Sequence, residues 1–291
     1  MKRVSVVIPS YGEAKTLKDV LESVSQSTYE EKEIIIVDNG ISANILSQLN
    51  GLPSVKVIRA SRNLGVAAGR NLGAKISTGD YILFLDHDVI LDKNTIAKMV
   101  NVLEANSDVG IVGPQIFYRR YPNKVWWSGG TVKIPSGKVV MSSKKLTGLV
   151  DTDVVPAAMM VKREVFEEVG GFYETYFATF EDSDFCFRAK KLGYRVACVC
   201  DASAYHDVEP VDLERIFGRV YFIFRNRILF MKRNSDKLSF LAYLMLFNQA
   251  YILYYTALAV KHRRPEVFPQ MIKGIIDGVR ERQINDRAYR Y

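Results

Sequence analysis

Two acidic clusters and one further acid could carry chemistry in this sequence: Asp86-His87-Asp88, Glu181-Asp182-Ser183-Asp184 and Asp38. Carboxylates two residues apart converge on one divalent cation where the chain turns. Hard oxygen ligands suit Mg²⁺ or Mn²⁺ bridging phosphates. Such an ion neutralises charge on a departing diphosphate, so Asp86 and Asp88 are candidate metal ligands. Taken alone a D-x-D triplet is a weak signal, because most are surface turns. Phe177 and Phe180 lead into Glu181 and Asp182, and carboxylates beside apolar surface hold protons more tightly. That suits a general base. Helix capping explains part of this cluster, at Ser183 or Asp184. Asp38 could accept from a ribose hydroxyl or a base N–H; its bland role is a helix cap. His206, following Tyr205, is a candidate metal or phosphate ligand, although a lone His is more often structural.

Regular elements must deliver these residues. Val4–Ile8, Ile34–Val37, Val55–Ile58, Tyr81–Leu85 and Val109–Val112 are apolar runs of strand length. Between them, residues 14–26, 42–49, 65–77 and 93–105 have helical spacing. Strands apolar on both faces and alternating with helices imply a parallel sheet covered on both sides. In such an α/β sheet, ligands bind at the carboxyl ends of the strands. Pro9–Glu13, Asp38–Gly40, Ser61–Gly65 and Asp86–Asp88 stand there. Acids gathered on one rim repel one another and need a cation or a ligand. Asn63, Arg70 and Asn71 open a helix rich in Gly and Ala, whose N-terminus favours anions. Arg70 could fork onto phosphate, or form a surface ion pair. Residues 114–163 read as less regular sheet and loop, and 164–200 as helix, loop, helix and strand. The whole divides into a catalytic region, 1–210, and a helical region, 211–291.

Composition narrows the class. The chain has 291 residues, 48% hydrophobic and 25% charged, which excludes a disordered or collagen-like protein. The net charge of +8 favours anionic partners. Cys186, Cys198 and Cys200 form no CxxC pair, which argues against a disulfide framework and a zinc cage, and fits a reducing compartment. The apolar run from Val4 stops at Pro9, too short for a secretory leader. No internal repeat is present.

In order, PSYxE, VDN, RNxGxAxxRNxG, D-x-D and GG-F…FEDSDFCFR…GY…H resemble family-2 inverting glycosyltransferases of the GT-A fold. The end of the pattern most resembles the rhamnosyltransferase-like branch. The match spans about residues 3 to 207, and the ordered set is specific although each motif alone is weak. The resemblance implies that Pro9, Tyr11 and Glu13 line the base and ribose of a nucleotide-diphosphate sugar, with Asp38 and Asn39 beneath. Asn63, Arg70 and Asn71 would help hold that half. Asp86 and Asp88 would hold the metal and sugar diphosphate, and His206 would reach either. Val155 to Met160, including Ala157, would lie beside the donor sugar. Asp182 would deprotonate the acceptor hydroxyl, and Glu181 would contact acceptor or sugar. Two departures stand out. Ile41-Ser42-Ala43 occupies the place of the usual Ser/Thr-Asp pair, which bears on the nucleotide. Phe172-Tyr173-Glu174 stands for Phe-Asp-Glu, which bears on sugar and acceptor.

Residues 238–260 carry no charge and suffice to cross about 30 Å of hydrocarbon as a helix. Arg225, Arg227, Lys232, Arg233 and Lys237 precede them; Lys261, Arg263 and Arg264 follow. A single span leaves its positive excess on one side. Basic flanks on both sides fit a helix lying on an anionic leaflet. Asn248-Gln249 at the centre disfavours a lipid-exposed crossing. A peripheral or monotopic protein on the cytoplasmic face of the cell membrane is therefore expected. A single transmembrane helix, a buried helix and a homodimer interface are the alternatives. Residues 215–233 show an amphipathic stripe of Phe217, Val220, Tyr221, Phe224 and Ile228.

The expected function is metal-dependent transfer of a sugar to a glycan or polyprenyl-linked acceptor. The competing reading is a non-catalytic nucleotide-binding adaptor at the membrane surface with a decayed site. The intact Asp86, Asp88, Glu181 and Asp182 argue against decay. A nucleic-acid binder would interleave basic and aromatic residues on one sheet face, whereas here the basic residues flank apolar helices, so no nucleic acid is expected.

Overall fold

A computed structural model describes residues 1–45, 55–210 and 213–284. One mixed sheet organises the catalytic region. Its strands are β1 (Val4–Gly12), β2 (Lys32–Ile41), β3 (Val55–Arg59), β4 (Tyr81–Leu85), β6 (Val109–Tyr118), β10 (Leu149–Asp151), β11 (Ala158–Lys162) and β12 (Arg195–His206). They lie in the order β10-β12-β6-β11-β4-β1-β2-β3. The short strands β5 (Val89–Leu91) and β7 (Val125–Trp127) pair with β12 and β6. A separate hairpin joins β8 (Gly130–Lys133) to β9 (Lys138–Met141).

The first half is parallel, as the doubly wound pattern predicts: β1 pairs in parallel with β2 and β4, and β2 with β3. Val4, Val6, Val7 and Ile8 are fully buried, which is why this strand is apolar on both faces. Helices α1 (Leu17–Ser25), α2 (Gly65–Ile76) and α3 (Thr95–Ala105) fall within the segments read as helical. Of the helix expected over 42–49, residues 46–49 lie outside the described residues. In α2, a Cβ at Gly73 would stand 2.3 Å from a Val7 methyl, so this small-residue helix sits closer to β1 than a larger side chain would permit.

The second half departs from simple alternation. β11 enters between β4 and β6, antiparallel to both. The expected strand Val109–Val112 continues to Tyr118 and pairs in parallel with β12. Helix α4 (Arg163–Val169), a 3₁₀ turn at Glu174–Tyr176 and helix α5 (Glu181–Lys191) follow β11.

The C-terminal region holds α6 (Leu213–Gly218), α7 (Val220–Asn234), α8 (Lys237–Lys261, with a π turn at Tyr243–Phe247) and α9 (Val267–Val279). The expected boundary at 210 abuts residues 211 and 212, which are not among those described. Phe217, Val220, Tyr221, Phe224 and Ile228 are buried against protein, so the stripe on 215–233 is an internal packing face. The outer face of α8 is different: Leu238 is 76% exposed, Leu253 70% and Met245 66%.

Candidate active site

The acidic triplet turns between β4 and β5. β5 runs antiparallel to the end of β12, placing Val89 opposite His206. This pairing brings Asp88 to His206, with Oδ1 3.3 Å from Nε2. The Asp207 N–H donates to the Asp88 carbonyl at 2.9 Å and fixes the turn. Burial opposes charge on Asp88, but the His206 contact outweighs it and holds the pKa down at about 2. Trp126 packs edge-on against the imidazole at 4.5 Å.

Asp86 faces the other way. Its N–H donates to the Ala157 carbonyl at 2.8 Å, and its Oδ1 accepts from Arg70 Nη2 at 2.9 Å. Arg70 is buried, and its Nη1 reaches Glu181 Oε1 at 3.3 Å. One guanidinium from α2 thus bridges the acids after β4 and at the start of α5. Ala157 itself has a positive φ of 61°, a costly conformation for a residue with a Cβ.

Glu181 and Asp182 open α5 behind a strained approach. Phe177, Thr179 and Phe180 have φ of 62°, 70° and 71°. Such backbone persists where its surroundings over-determine it. Here Asn226 of α7, fully buried, donates through Nδ2 to the carbonyls of Tyr176, Ala178 and Thr179 at 2.9, 2.7 and 2.8 Å. From the opposite side, the Val66 N–H at the start of α2 donates to the Phe177 carbonyl at 2.6 Å. Gly65 (φ 81°) permits this approach, since a Cβ there would stand 2.4 Å from that carbonyl oxygen.

Burial, reinforced by the charge of Asp182, pushes the pKa of Glu181 up to about 7 against the pull of Arg70. Burial raises Asp182 as well, opposed by Arg70 and the Ser183 N–H. That N–H donates to Asp182 Oδ1 at 2.6 Å and orients the carboxylate. The second oxygen of Glu181, Oε2, is buried without a hydrogen-bond partner.

Three adjoining cavities connect these groups. One, of about 460 Å³, is lined by Tyr11, Asp38, Asn39, Arg59 and Asn63. The next, about 350 Å³, shares Tyr11, Asn39 and Asn63 with it and adds Pro9, His87 and Asp88. The third, about 460 Å³, shares Val66, Ala178, Arg215 and Arg219 with the second. It adds Arg70, Asp86, Ala157, Glu181, Asp182 and His206. Most of the expected site residues therefore line one cleft.

Some serve it differently from the sequence expectation. Asp38 accepts from the N–H groups of Gly40 and Ile41 at 2.9 and 2.8 Å and from Arg59 Nε at 3.0 Å. These donors outweigh burial and keep its pKa below the usual carboxylate value. Asn39 donates to the Gly65 carbonyl at 3.0 Å, and Asn63 accepts from the Gly65 N–H at 2.9 Å. Both brace the entry to α2. Asn71 and Glu13 line none of the three cavities. Asn71 instead binds both backbone groups of Phe172, and Glu13 is exposed. Arg70 serves the acid end, not the Tyr11 end. Sequence reasoning missed Arg215, Arg219, Asn226 and Arg227, all from the C-terminal helices. The four-residue step through Arg215, Arg219, Ile223 and Arg227 was the available signal, and all four line the third cavity.

Among the described residues, no three His, Cys, Asp or Glu side chains form a metal cage. A cation shared with substrate phosphates needs less, one or two protein ligands completed by substrate and water. Asp88 and His206 fit that demand. The His206 ring is buried: Nε2 faces Asp88, and Nδ1 has no hydrogen-bond partner, an arrangement that suits a metal or phosphate contact.

A mixed α/β sheet with acids at its strand ends, opening on one divided cleft, is the architecture of the GT-A fold. Residues 5–170 match the Glycosyl transferase family 2 domain, more than half of the chain, and the protein belongs to that family. It is 29% identical over 186 residues to an uncharacterized glycosyltransferase of Haemophilus influenzae, covering 64% of this chain and 61% of that protein. It is 24% identical to the dTDP-rhamnosyl transferase RfbF of Shigella flexneri, covering 95% of both chains. The mannosyltransferase PcManGT of Pyrobaculum calidifontis, solved with GDP-Man and Mn²⁺, shares the fold. Its TM-score is 0.63 at 16% identity, over 97% of this chain and 88% of that one.

Proposed function

We propose that this glycosyltransferase moves a sugar from a nucleotide-diphosphate donor to a hydroxyl of a lipid-linked or cell-surface glycan, with inversion at the anomeric carbon. The carrying observation is the order of groups along the cleft. Tyr11 and Asp38 lie at one end, Asp88 in the middle, and Glu181 and Asp182 at the other, with His206 reaching Asp88 from the third cavity. A nucleoside, a diphosphate and a sugar have that same order.

Each residue then has a role its surroundings support. Tyr11 and the loop braced by Asp38, Asn39 and Asn63 form the nucleoside wall, with Pro9 next to them. Asp88 and His206, with Asp86 adjoining, would hold Mg²⁺ or Mn²⁺, which when bound neutralises charge on the leaving diphosphate. Ala157 leaves room for the sugar. Asp182, oriented by Ser183, takes the acceptor proton as its oxygen attacks opposite the diphosphate. Its raised proton affinity strengthens it as a base. Glu181 offers Oε2 to a sugar or acceptor hydroxyl, and Arg70 keeps the paired acids from repelling each other apart. One displacement suffices, and no covalent enzyme intermediate is required. A decayed site would not be expected to retain all four acids in one cleft.

A panel of nucleotide sugars, each with and without Mn²⁺ or Mg²⁺, tests this reading by thermal shift. One donor should raise Tm in a metal-dependent way. A folded protein that no nucleotide sugar stabilises would remove it.

The outer face of α8 supports peripheral attachment to the cytoplasmic face of a membrane. Its most apolar stretch is 11% buried inside the molecule. Asn248 turns inward and accepts from Tyr243 at 3.3 Å, so the lipid-facing side need not carry it. The basic flanks are fewer than the sequence suggests. Arg225 is fully buried, Arg227 lines the third cavity, and Lys232, Arg233 and Arg264 pair with acids. Lys237, Lys261 and Arg263 have no ion pair among the described residues. Flotation with anionic vesicles should carry the protein upward. A fully soluble monomer or dimer would discard the attachment.

A further inference from the structure

We infer that the far end of the third cavity is an anion subsite that binds a phosphate group of the acceptor, centred on Arg227 stacked against Tyr251. The inference rests on the transferase reading above and names the acceptor's chemistry.

Arg227 differs from its neighbours on α7. Arg225 donates to Asn226 and to the Arg282 carbonyl, and Arg233 pairs with Glu281. Arg227 has no ion pair among the described residues, and its Nε and Nη1 are buried without an acceptor. A guanidinium is never neutral in a protein, so those donors are desolvated without return. Two aromatic rings hold the group, Tyr251 of α8 at 3.9 Å and Phe180 at 5.6 Å. Stacking fixes its plane and supplies no hydrogen bond. A planar fork so placed suits an oxyanion.

Its location separates it from the donor diphosphate. Arg215 and Arg219 line both the second and third cavities, whereas Arg227, Tyr251 and Lys138 line only the third, with Glu181 and Asp182. The subsite is therefore on the acceptor's side of the acids. Arg70 is already met by Asp86 and Glu181, whereas Lys138, Arg219 and Arg227, which also line the third cavity, have no ion pair among the described residues. A neutral glycan would give Arg227 no counter-charge. A phosphate supplies one, whether borne on a lipid or on a soluble molecule. Tyr251 sits on the helix whose outer face exposes Leu253 and Tyr254, so a lipid-borne phosphate could reach Arg227 from the apolar side.

The test compares wild type with Arg227→Gln and Arg227→Lys by calorimetric titration. One arm uses inorganic phosphate; the other uses phosphatidylcholine vesicles carrying farnesyl phosphate, against plain vesicles. Both arms are repeated with saturating nucleoside diphosphate, so that the donor subsite is filled. Wild type should bind at least one phosphate form. Arg227→Gln should weaken that binding about tenfold or more, and Arg227→Lys should restore part of it. Loss in the vesicle arm alone assigns the phosphate to a lipid; loss in both assigns it to the phosphate group itself. Nucleoside diphosphate affinity, unchanged in both variants, shows that they fold. Phosphate binding equal to wild type in Arg227→Gln, or no binding by wild type in either arm, overturns the inference. Failure of the transferase reading would appear separately, as absent nucleotide-sugar binding by wild type.

Discussion

The two ends of the cleft are built on opposite terms. At the Tyr11 end, the protein satisfies most of its own buried polar groups. Asp38 has three donors, and Asn39 and Asn63 are committed to the turn at Gly65. At the Glu181 end, buried groups lack partners: Glu181 Oε2 and two nitrogens of Arg227. Buried polar groups are nearly always paired, so a cluster of exceptions marks where a ligand completes the structure. The first end reads as a wall that gives shape. The second reads as a reaction centre maintained at a cost in stability.

This contrast predicts a ranking of variants. Asp182→Asn should lower transfer by about a thousandfold while donor affinity stays near wild type, measured by turnover and by titration. Equal loss of both would make Asp182 a donor ligand instead. Asp88→Ala comes next, with roughly a hundredfold loss of transfer and loss of the metal-dependent part of donor binding. Donor binding that keeps its metal dependence in this variant would exclude Asp88 as a ligand.

Asn226→Ala tests the support behind the acids. It takes a donor from three carbonyls and frees the strained segment, so stability should fall by about 2–4 kcal/mol in denaturant unfolding. Transfer should fall with it although Asn226 touches no substrate.

The pH dependence sharpens the contrast further. The folded pKa of Glu181, about 7, lies above its usual 4.5. The folded state therefore binds this proton more tightly than the unfolded chain does. Stability from this source is complete below about 4.5 and is lost as pH rises through 7, on the order of 3 kcal/mol in all. Glu181→Gln should flatten that decline in Tm between pH 5 and 8, where wild type slopes downward. Asp38→Asn is the smallest change. It should cost about 1 kcal/mol and leave turnover within a few-fold, because Arg59 is mostly exposed and its pair is screened.

Much of the wall and the acid positions was legible in the sequence, because the apolar runs from Val4, Ile34 and Tyr81 announce strands and their ends announce the rim. Two things were not. β11 is a five-residue strand, Ala158–Lys162, whose antiparallel place at the sheet centre depends on long-range pairing with no local signature. The C-terminal contribution was hidden by its chemistry. Asn226 and Arg227 sit inside an apolar helix, and their partners near Phe180 lie almost fifty residues away. A basic residue beside a hydrophobic run looks like a membrane flank, and the same residue folded inward is part of a site. Asn71 shows the reverse error: a motif residue that looks like a ligand and instead ties the Phe172 loop.

A crystal structure with a nucleotide sugar and Mn²⁺ tests the central claim most directly. The nucleoside should lie against Tyr11, the diphosphate and cation at Asp88 and His206, and the anomeric carbon beside Asp182. A donor bound with its sugar turned away from Asp182, or outside the three connected cavities, would contradict it.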